Sequence, residues 1–273
     1  MQKDIERIEF TIFDTETTGL DPFSGDRIVE IAGIRFKGEL QIAKFSALVN
    51  PHRSISEAAF AVNRITRDML EGAPDIDKIM PQFLDFIQDS CLCSYNAGFD
   101  LEFLNSELKR IGSRLPDNIM VLDILKMAKR LLPGLERYAL WFVADSLGIN
   151  AKQQHRAFSD VELTMKVFRK LKQVFKTKGL SDFKDFSTLF TIDPHFLDNL
   201  NSQKIAQIQE AIDLGVKLRI KYLSSSRAEV SEREVIPRQI LQEKNKNYLV
   251  GYCYLRKEER TFSIDGILHL QIL

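Results

Sequence analysis

The sequence is poor in the residues that cross-link small domains or span membranes. Its 273 residues include only three cysteines, and an odd, small count excludes a disulfide framework and favours a reducing compartment. No apolar run approaches the ~20 residues that cross a bilayer, and no apolar secretory segment follows the first residues. We therefore expect a globular, cytoplasmic protein that has no membrane contact.

The sequence also lacks any excess of charge. Its 38 basic residues are balanced by 38 acidic ones, so the bulk electrostatics give no support for binding to nucleic acid. One stretch, Lys166–Lys178, is locally basic. Such a stretch is either a patch that attracts a polyanion or a solvated helix face, and the sequence leaves both interpretations open.

The hydrophobic pattern divides the chain into two domains. Up to residue 178, short apolar strands alternate with helical periodicity, which predicts an α/β domain over residues 1–178. Three strands are predicted first, at Glu9–Phe13, Arg27–Phe36 and Gln41–Val49. A short helix is predicted after them, at Asn63–Leu70.

The remainder of the chain has a different pattern. Residues 179–202 break the periodicity and are predicted to be a linker. From Val216 to Tyr222 apolar and basic residues alternate, and several short strands follow at close spacing. This pattern predicts a small, mostly β domain over residues 203–273, either a barrel or a sandwich.

Two carboxylates stand at the end of the first strand, in Phe10–Gly19. Asp14 and Glu16 are separated by one residue, so on a strand they point to the same face. Two carboxylates held side by side repel each other unless protons or cations lie between them. A bare Asp-x-Glu is more often an ordinary solvated pair, so the metal-site interpretation needs further ligands.

Two later segments supply them. Asp100 falls in the first turn of a predicted helix, and Asp160 lies near the start of a long amphipathic helix with His155 five residues before it. Four carboxylates from one strand end and two helix starts can meet in one cleft. Oxygen ligands without cysteine suit Mg²⁺ or Mn²⁺ rather than Zn²⁺. Two such ions would stabilise a displacement at phosphorus, and a neutral His155 would serve as general base.

The three segments resemble the DEDDh class of 3′–5′ exonucleases, the family of the DNA polymerase III proofreading subunit. The matching motifs are Asp14-Thr-Glu16-Thr-Thr-Gly19, Asn96-Ala-Gly-Phe-Asp100 and His155-Arg-Ala-Phe-Ser-Asp160. The resemblance implies a ribonuclease H-like fold with a mixed sheet flanked by helices. It also implies that the four acids bind two Mg²⁺ or Mn²⁺ ions and that His155 is the base.

The same resemblance implies contacts with the substrate. Thr15 and Glu16 would hold the terminal 3′-hydroxyl, and Leu20 would wedge against the last base. Further candidate substrate contacts are Asn96, in the second motif, and the nearby aromatic residues Phe99 and Phe103. The second motif departs from the family at Tyr95, which replaces a histidine, so we expect altered packing or substrate contacts there. Asp123 is interpreted as a helix cap and is left out of the metal set.

The C-terminal part resembles the WYL domain, a small SH3/Sm-like barrel of bacterial regulators. The matching segments are Ile220-Lys-Tyr-Leu223, Arg233-Glu-Val-Ile-Pro237, Tyr248-Leu249 and Arg260-Thr-Phe-Ser-Ile-Asp265. The tryptophan that names the family is replaced by Asn247, and Gly266 stands where a second arginine is frequent. The resemblance implies a pocket for nucleic acid or a small anionic ligand, with Tyr222, Arg233 and Arg260 as contacts; surface ion pairs explain both arginines equally well.

The sequence therefore predicts a 3′–5′ exonuclease that acts on nucleic acid with a free 3′ end and releases 5′-monophosphates. DNA is the favoured substrate. One alternative is short RNA, since the metal site acts on phosphate and the 2′-hydroxyl is recognised elsewhere. The other is a ligand-responsive nucleic-acid-binding regulator whose nuclease half is vestigial.

Overall fold

The computed structural model describes residues 4–150, 154–192, 199–224, 226–243 and 246–273. Within these residues, six strands form one mixed sheet in the order β3-β2-β1-β4-β5-β6. The strands are β1 (Glu9–Thr17), β2 (Ile28–Lys37), β3 (Leu40–Leu48), β4 (Cys91–Ser94), β5 (Val121–Asp123) and β6 (Thr191–Ile192). The mixed sheet agrees with the ribonuclease H-like fold expected from the sequence.

Strand direction in this sheet follows the connections. β1 pairs with β2, and β2 with β3, in antiparallel register through short loops. β4 and β5 lie parallel to β1, and each is reached through a helical connection, as parallel strands require. The central strands β1, β2 and β4 are therefore covered on both faces, and their apolar residues are almost wholly buried.

Helices cover this sheet. They are α1 (Glu57–Asn63), α2 (Arg67–Leu70), α3 (Ile76–Ile87), α4 (Ala97–Arg110), α5 (Ile124–Leu131), α6 (Leu140–Ser146), α7 (Ala157–Thr177) and α8 (Phe183–Phe190). The long helix α7 packs on β1 and β2, where the ring of Phe168 meets that of Phe10 at a centroid distance of 5.0 Å. A second apolar cluster on the other side of β1 contains Phe13 and Phe83.

One predicted helix is wrong. The segment Asn63–Leu70 is not a single helix, because Asn63 ends α1 and Thr66 caps the separate helix α2. Arg64, between them, adopts a left-handed conformation with φ 58°, which stops the first helix. Ser56 caps the start of α1, and its hydroxyl accepts from the backbone N–H of Ala59.

The predicted linker is also wrong over most of its described part. Phe183–Phe190 forms α8, and Thr191–Ile192 pairs with β5 as the last strand of the sheet. Phe186 and Phe190 are buried against Phe175 of α7, at ring distances of 5.2 and 5.8 Å. Aromatic burial therefore extends this domain to about residue 192. The remainder of the predicted linker includes residues 193–198, which lie outside the described residues.

The C-terminal part begins with helix α9 (Asn199–Leu214) and continues as an antiparallel sheet. Five strands in the described residues have the order β10-β9-β8-β7-β11. They are β7 (Leu218–Leu223), β8 (Val230–Glu243), β9 (Lys246–Cys253), β10 (Glu258–Ser263) and β11 (Ile267–Ile272). The mostly β character is as expected, but the described strands do not close into a barrel, so the SH3/Sm-like barrel is not confirmed.

Three of the six basic residues in the stretch Lys166–Lys178 form ion pairs with acids of the same domain. Lys172 and Lys176 donate to the carboxylate of Glu6 at 2.8 and 2.7 Å. Arg169 pairs with Glu39 at 3.2 Å. These partners bind the helix to the N-terminal part of the domain, so much of the stretch packs the fold instead of forming an open cationic patch.

No helix in the described part of the chain has both the length and the apolar character needed to cross a membrane.

The packing of α8 into the core predicts that removing one of its buried rings destabilises the protein. Phe186→Ala should lower the free energy of unfolding by about 3–5 kcal/mol, since it opens a cavity within a cluster of buried rings. Urea denaturation of the full chain measures this change. Phe23→Ala is the matched control, because Phe23 is 85% exposed and should cost no more than about 0.5 kcal/mol. Equal effects of the two substitutions would contradict the packing of α8 into the core.

Candidate metal centre

Strand β1 carries the two leading acids. It was predicted to end at Phe13 but continues to Thr17, so Asp14 and Glu16 lie within the strand and share a face. In the register with β2, Asp14 lies opposite Ala32 and Glu16 lies opposite Glu30. The strand is central in the sheet, which holds both carboxylates rigidly.

Helix α7 brings the third acid to this face. Asp160 lies in its first turn and is buried. In the described residues, Asp14, Glu16 and Asp160 each place a carboxylate oxygen within 4.8 Å of the others. This spacing allows the three oxygens to contact a single cation placed between them.

Asp100 lies beside this group and is held by hydrogen bonds. Its Oδ1 accepts from the backbone N–H of Thr15 at 3.0 Å and from the Thr15 hydroxyl at 2.7 Å. Its Oδ2 accepts from the hydroxyl of Ser94 at 2.5 Å. These bonds fix the orientation of the Asp100 carboxylate beside the cluster. Its role as a metal ligand remains a prediction.

The clustering changes the acidity of these groups. Burial, followed by the charges of Asp100, Glu16 and Asp160, raises the pKa of Asp14 well above its usual range. Burial and the neighbouring acids Asp160, Glu30 and Asp100 raise the pKa of Glu16 to about 8. Burial also raises the pKa of Asp100 to about 6, against the lowering effect of its hydrogen bonds. Without a cation, the cluster therefore retains protons near neutral pH.

A further acid, Glu30, was missed by the sequence reasoning. It is buried on β2, and its carboxylate accepts two hydrogen bonds from the Arg156 guanidinium at 3.0 and 2.8 Å. The backbone N–H of Ala157, at the start of α7, donates to the same carboxylate at 3.1 Å. Glu30 thus anchors the first turn of α7, which carries Asp160. Its signal in the sequence was an acid inside the apolar run Ile28–Ala32.

Helix α4 is anchored in a similar way. Arg27 binds Glu107 through two hydrogen bonds of 2.6 and 2.8 Å, and the backbone N–H of Ile28 donates to the same carboxylate. Glu107 is two helical turns after Asp100 and is buried on α4. The pair fixes the helix that carries Asp100 to the start of β2.

His155 lies in the turn before α7. Its side chain is exposed, and its backbone is left-handed with φ 51°. Arg156 and Ala157, the next two residues, are held by Glu30, and Asp160 Oδ1 accepts from the backbone N–H of Gln154 at 3.4 Å. His155 is therefore solvent-accessible beside the acidic cluster, and its role as a base remains a prediction.

Two residues near the site have structural contacts. The hydroxyl of Tyr95 donates to the backbone carbonyl of Tyr138 at 2.7 Å. Tyr95, which replaces the histidine of the family motif, therefore links the end of β4 to the segment before α6. Asp123 accepts from the backbone N–H groups of Leu125 and Lys126. This confirms Asp123 as a helix cap.

The predicted substrate contacts differ in accessibility. Leu20 is 81% exposed, Asn96 is exposed at the start of α4, and Phe99 is half-buried, so these three remain candidates. Phe103 is 1% exposed and packs in the core; its predicted contact with a base is therefore wrong for this conformation. The Thr15 hydroxyl already donates to Asp100, and its contact with a 3′-hydroxyl remains a prediction.

The candidate contacts in the C-terminal domain are also partly engaged. Tyr222 is largely buried in that domain's core. Arg233 donates to the hydroxyl of Ser231 and lies 6.0 Å from the ring of Phe262. Arg260 forms an exposed ion pair with Glu258 at 3.0 Å. A role for these three residues in ligand binding remains a prediction.

The donor set fits a hard divalent cation. It consists of carboxylate oxygens, which Mg²⁺ and Mn²⁺ favour. The thiols of Cys91 and Cys93 are buried in β4. A mixed sheet with clustered acids on its central strand and the first turns of two helices defines a ribonuclease H-like, metal-binding class of protein.

Comparison with known families agrees with this class. Residues 11–168, more than half of the chain, match the family model described as Exonuclease, and residues 203–272 match the WYL domain. The chain belongs to the exonuclease family.

The chain is also similar to parts of larger proteins. It is 31% identical over 252 residues to the PolC-type DNA polymerase III of Staphylococcus haemolyticus and 29% identical over 248 residues to that of Clostridium perfringens. These alignments cover 91% and 89% of the chain but 17% of each relative. The chain therefore spans only a small part of the length of these polymerases.

Solved structures show the same fold. Exonuclease X in complex with 5′ overhanging duplex DNA is 27% identical, with a TM-score of 0.51, and the match covers 64% of this chain and 95% of that one. Exonuclease I is 17% identical with a TM-score of 0.61, and its match covers 95% of this chain and 63% of that one. At this identity, the second likeness shows the fold alone.

The raised pKa values of the clustered acids predict that metal binding depends on pH. Protons held by Glu16, with a pKa of about 8, must leave before a cation binds. Between pH 6 and 8 the affinity for Mg²⁺ should rise by about tenfold per pH unit for each proton displaced, and level off above that range. Isothermal titration calorimetry in two buffers of different ionisation enthalpy measures both affinity and proton release. Affinity that is flat across this range, with no proton release, would contradict the coupling.

Proposed function

We propose that the protein is a metal-dependent 3′–5′ exonuclease. It hydrolyses the phosphodiester bond nearest a nucleic-acid 3′ end and releases nucleoside 5′-monophosphates. The observation that carries this proposal is the convergence of Asp14, Glu16 and Asp160 within 4.8 Å, with Asp100 held beside them. Membership of the exonuclease family supports it.

Two Mg²⁺ or Mn²⁺ ions complete the site in this proposal. Asp14, Glu16, Asp100 and Asp160 would hold them. When bound, such ions supply positive charge that stabilises the attacking and leaving oxygens of an in-line displacement at phosphorus. The protein's own contribution is rigidity, because the acids are fixed by a central strand and by two anchored helices.

His155 is the proposed general base. It is exposed in the turn that leads into α7, five residues before Asp160. Its imidazole would accept a proton from the attacking water, and the Glu30–Arg156 pair would position the turn. Thr15 and Glu16 would contact the terminal 3′-hydroxyl, while Leu20, Asn96 and Phe99 would contact the terminal nucleotides.

DNA is the favoured substrate. The similar polymerases are DNA polymerases, and the Exonuclease X structure holds duplex DNA. A 3′-exonuclease that recognises a histone mRNA stem-loop shares the fold at 15% identity, so the fold itself does not separate the two polymers. The vestigial-nuclease alternative is not favoured, since the carboxylates of Asp14, Glu16 and Asp160 converge and Asp100 is hydrogen-bonded to Thr15 between the two leading acids. The C-terminal domain would hold substrate or sense an anionic ligand.

Removal of one acid should abolish the reaction. Asp14→Ala or Asp160→Ala should slow Mn²⁺-dependent digestion of a 3′-labelled oligonucleotide by at least about 10³-fold, because the remaining oxygens hold the cations poorly. Release of labelled mononucleotide from the 3′ end measures both the rate and the polarity. Asp117→Ala is the control, since Asp117 is exposed and remote from the cluster. Full activity of either site variant would refute the proposal, and the same assay with RNA tests the substrate class.

The base has a separate signature. His155→Ala should lower turnover by about 10²–10⁴-fold and leave the affinity for Mg²⁺ nearly unchanged. Single-turnover digestion and calorimetry of the same preparation measure these two quantities. His269→Ala, an exposed histidine on β11, is the matched control. Unchanged turnover in His155→Ala would remove this residue as the base.

A further inference from the structure

Cations from both domains meet at the domain junction. Lys126 and Arg130 are four residues apart on α5, so they lie on one face of that helix. Arg130 Nη2 is 3.8 Å from Asp265 Oδ2, in the turn before β11. A third cation, Lys204 of α9, donates to the backbone carbonyl of Ile267 at 2.7 Å. The junction is thus built from α5 of the exonuclease domain and two elements of the WYL domain.

Arg130 is unusual for a buried arginine. Its side chain is 7% exposed, and its Nη1 is buried without a hydrogen-bond partner in the described part of the chain. A Cβ at Gly266 would lie 3.0 Å from this atom, so the glycine makes room for the guanidinium. The 3.8 Å separation from Asp265 exceeds hydrogen-bond length. A buried guanidinium with an unused donor is costly, which indicates a site that is completed by another group.

Among the described residues, the cations at the junction outnumber the acids. Lys126 Nζ contacts the backbone carbonyl of Thr191 at only 3.4 Å, and the Thr191 hydroxyl is itself buried without a described partner. Burial and then the neighbouring cations lower the pKa of Lys204 to about 8. Of the acids that the structure describes there, Asp265 faces all three cations, and Asp123, which caps α5, also acts on Lys126.

We propose that this junction binds a phosphate monoester, held by Arg130 with Lys126 and Lys204. The planar guanidinium matches two phosphate oxygens, and a dianion would balance the excess charge. A monoester fits better than a phosphodiester, because Arg130 is deeply buried and a strand would have to leave the site on both sides. The ligand is therefore a free nucleotide or the phosphorylated terminus of a strand, and inorganic phosphate is the simplest probe of the same charged group.

This site is independent of catalysis and of the proposed exonuclease function. Binding can be measured in EDTA, which removes any contribution from divalent cations at the acidic cluster. Failure of the nuclease assay would thus leave the phosphate site standing, and the reverse also holds.

The test uses the full chain and calorimetry in EDTA with four probes. These are inorganic phosphate, deoxyadenosine 5′-monophosphate and a short oligonucleotide with or without a 5′-phosphate. Arg130→Met and Lys204→Met should weaken binding of every probe that binds by about tenfold or more. Lys166→Met, on the exposed face of α7, is the control and should bind as the parent does.

The probes distinguish the source of the phosphate. Binding of the mononucleotide identifies a free ligand, and binding of the 5′-phosphorylated strand alone identifies a strand terminus. Binding of the unphosphorylated strand with equal affinity would overturn the proposal, and so would the absence of binding by every probe.

Thermal denaturation distinguishes phosphate binding by Arg130 from a purely structural role. In the absence of phosphate, Arg130→Met should be as stable as the parent or more stable, because an apolar side chain replaces an unsatisfied buried cation. Added phosphate should raise the melting temperature of the parent but not of the variant. A loss of stability that is equal with and without phosphate would identify a structural ion pair and refute the site.

Discussion

Mutual repulsion among buried carboxylates is the constraint on which this structure depends. Carboxylate oxygens of Asp14, Glu16 and Asp160 lie within 4.8 Å of one another, with Asp100 beside them, and burial raises the pKa values of Asp14, Glu16 and Asp100. Such an arrangement does not stabilise the metal-free fold. It persists because the strand and two helices that carry the acids are fixed by packing and by other ion pairs, and it is suited to a cation that offsets the repulsion.

Strand β2 and the residue before it hold in place the two helices that carry Asp100 and Asp160. Arg27, just before β2, binds Glu107 of α4, and Glu30 in the middle of the strand binds Arg156 at the start of α7. In each pair the guanidinium makes two hydrogen bonds to the carboxylate, and a backbone N–H donates to the same carboxylate. These bonds fix the orientation of the carboxylate. The two helices that deliver acids to β1 are thus attached to the neighbouring strand. The Arg156 charge also lowers the pKa of Glu16, so the same contact orients the site and limits its repulsion.

Much of this was predictable from local pattern. The acids of the three motifs and the cap at Asp123 follow from spacing and periodicity, and the mixed sheet follows from the resemblance to the 3′–5′ exonucleases. Glu30 was missed because its role depends on the register that places it opposite Glu16, and register is a tertiary property. The segment that forms α8 was predicted to be a linker. Phe186 and Phe190 stabilise a helix there only because they pack on Phe175 of α7, which is a tertiary contact. The junction cations lie far apart in sequence and give no local signal.

The most direct test of the account is the melting temperature of Asp14→Asn at pH 8, in EDTA and in Mn²⁺. A carboxyl group whose pKa is raised on folding stabilises the protein at low pH and loses that contribution as pH rises through the folded pKa. We therefore expect the variant to melt higher than the parent in EDTA, by about 2–4 °C per kcal/mol of relieved repulsion, and to gain less from Mn²⁺. A variant that melts lower in EDTA, or gains as much from Mn²⁺, would contradict it.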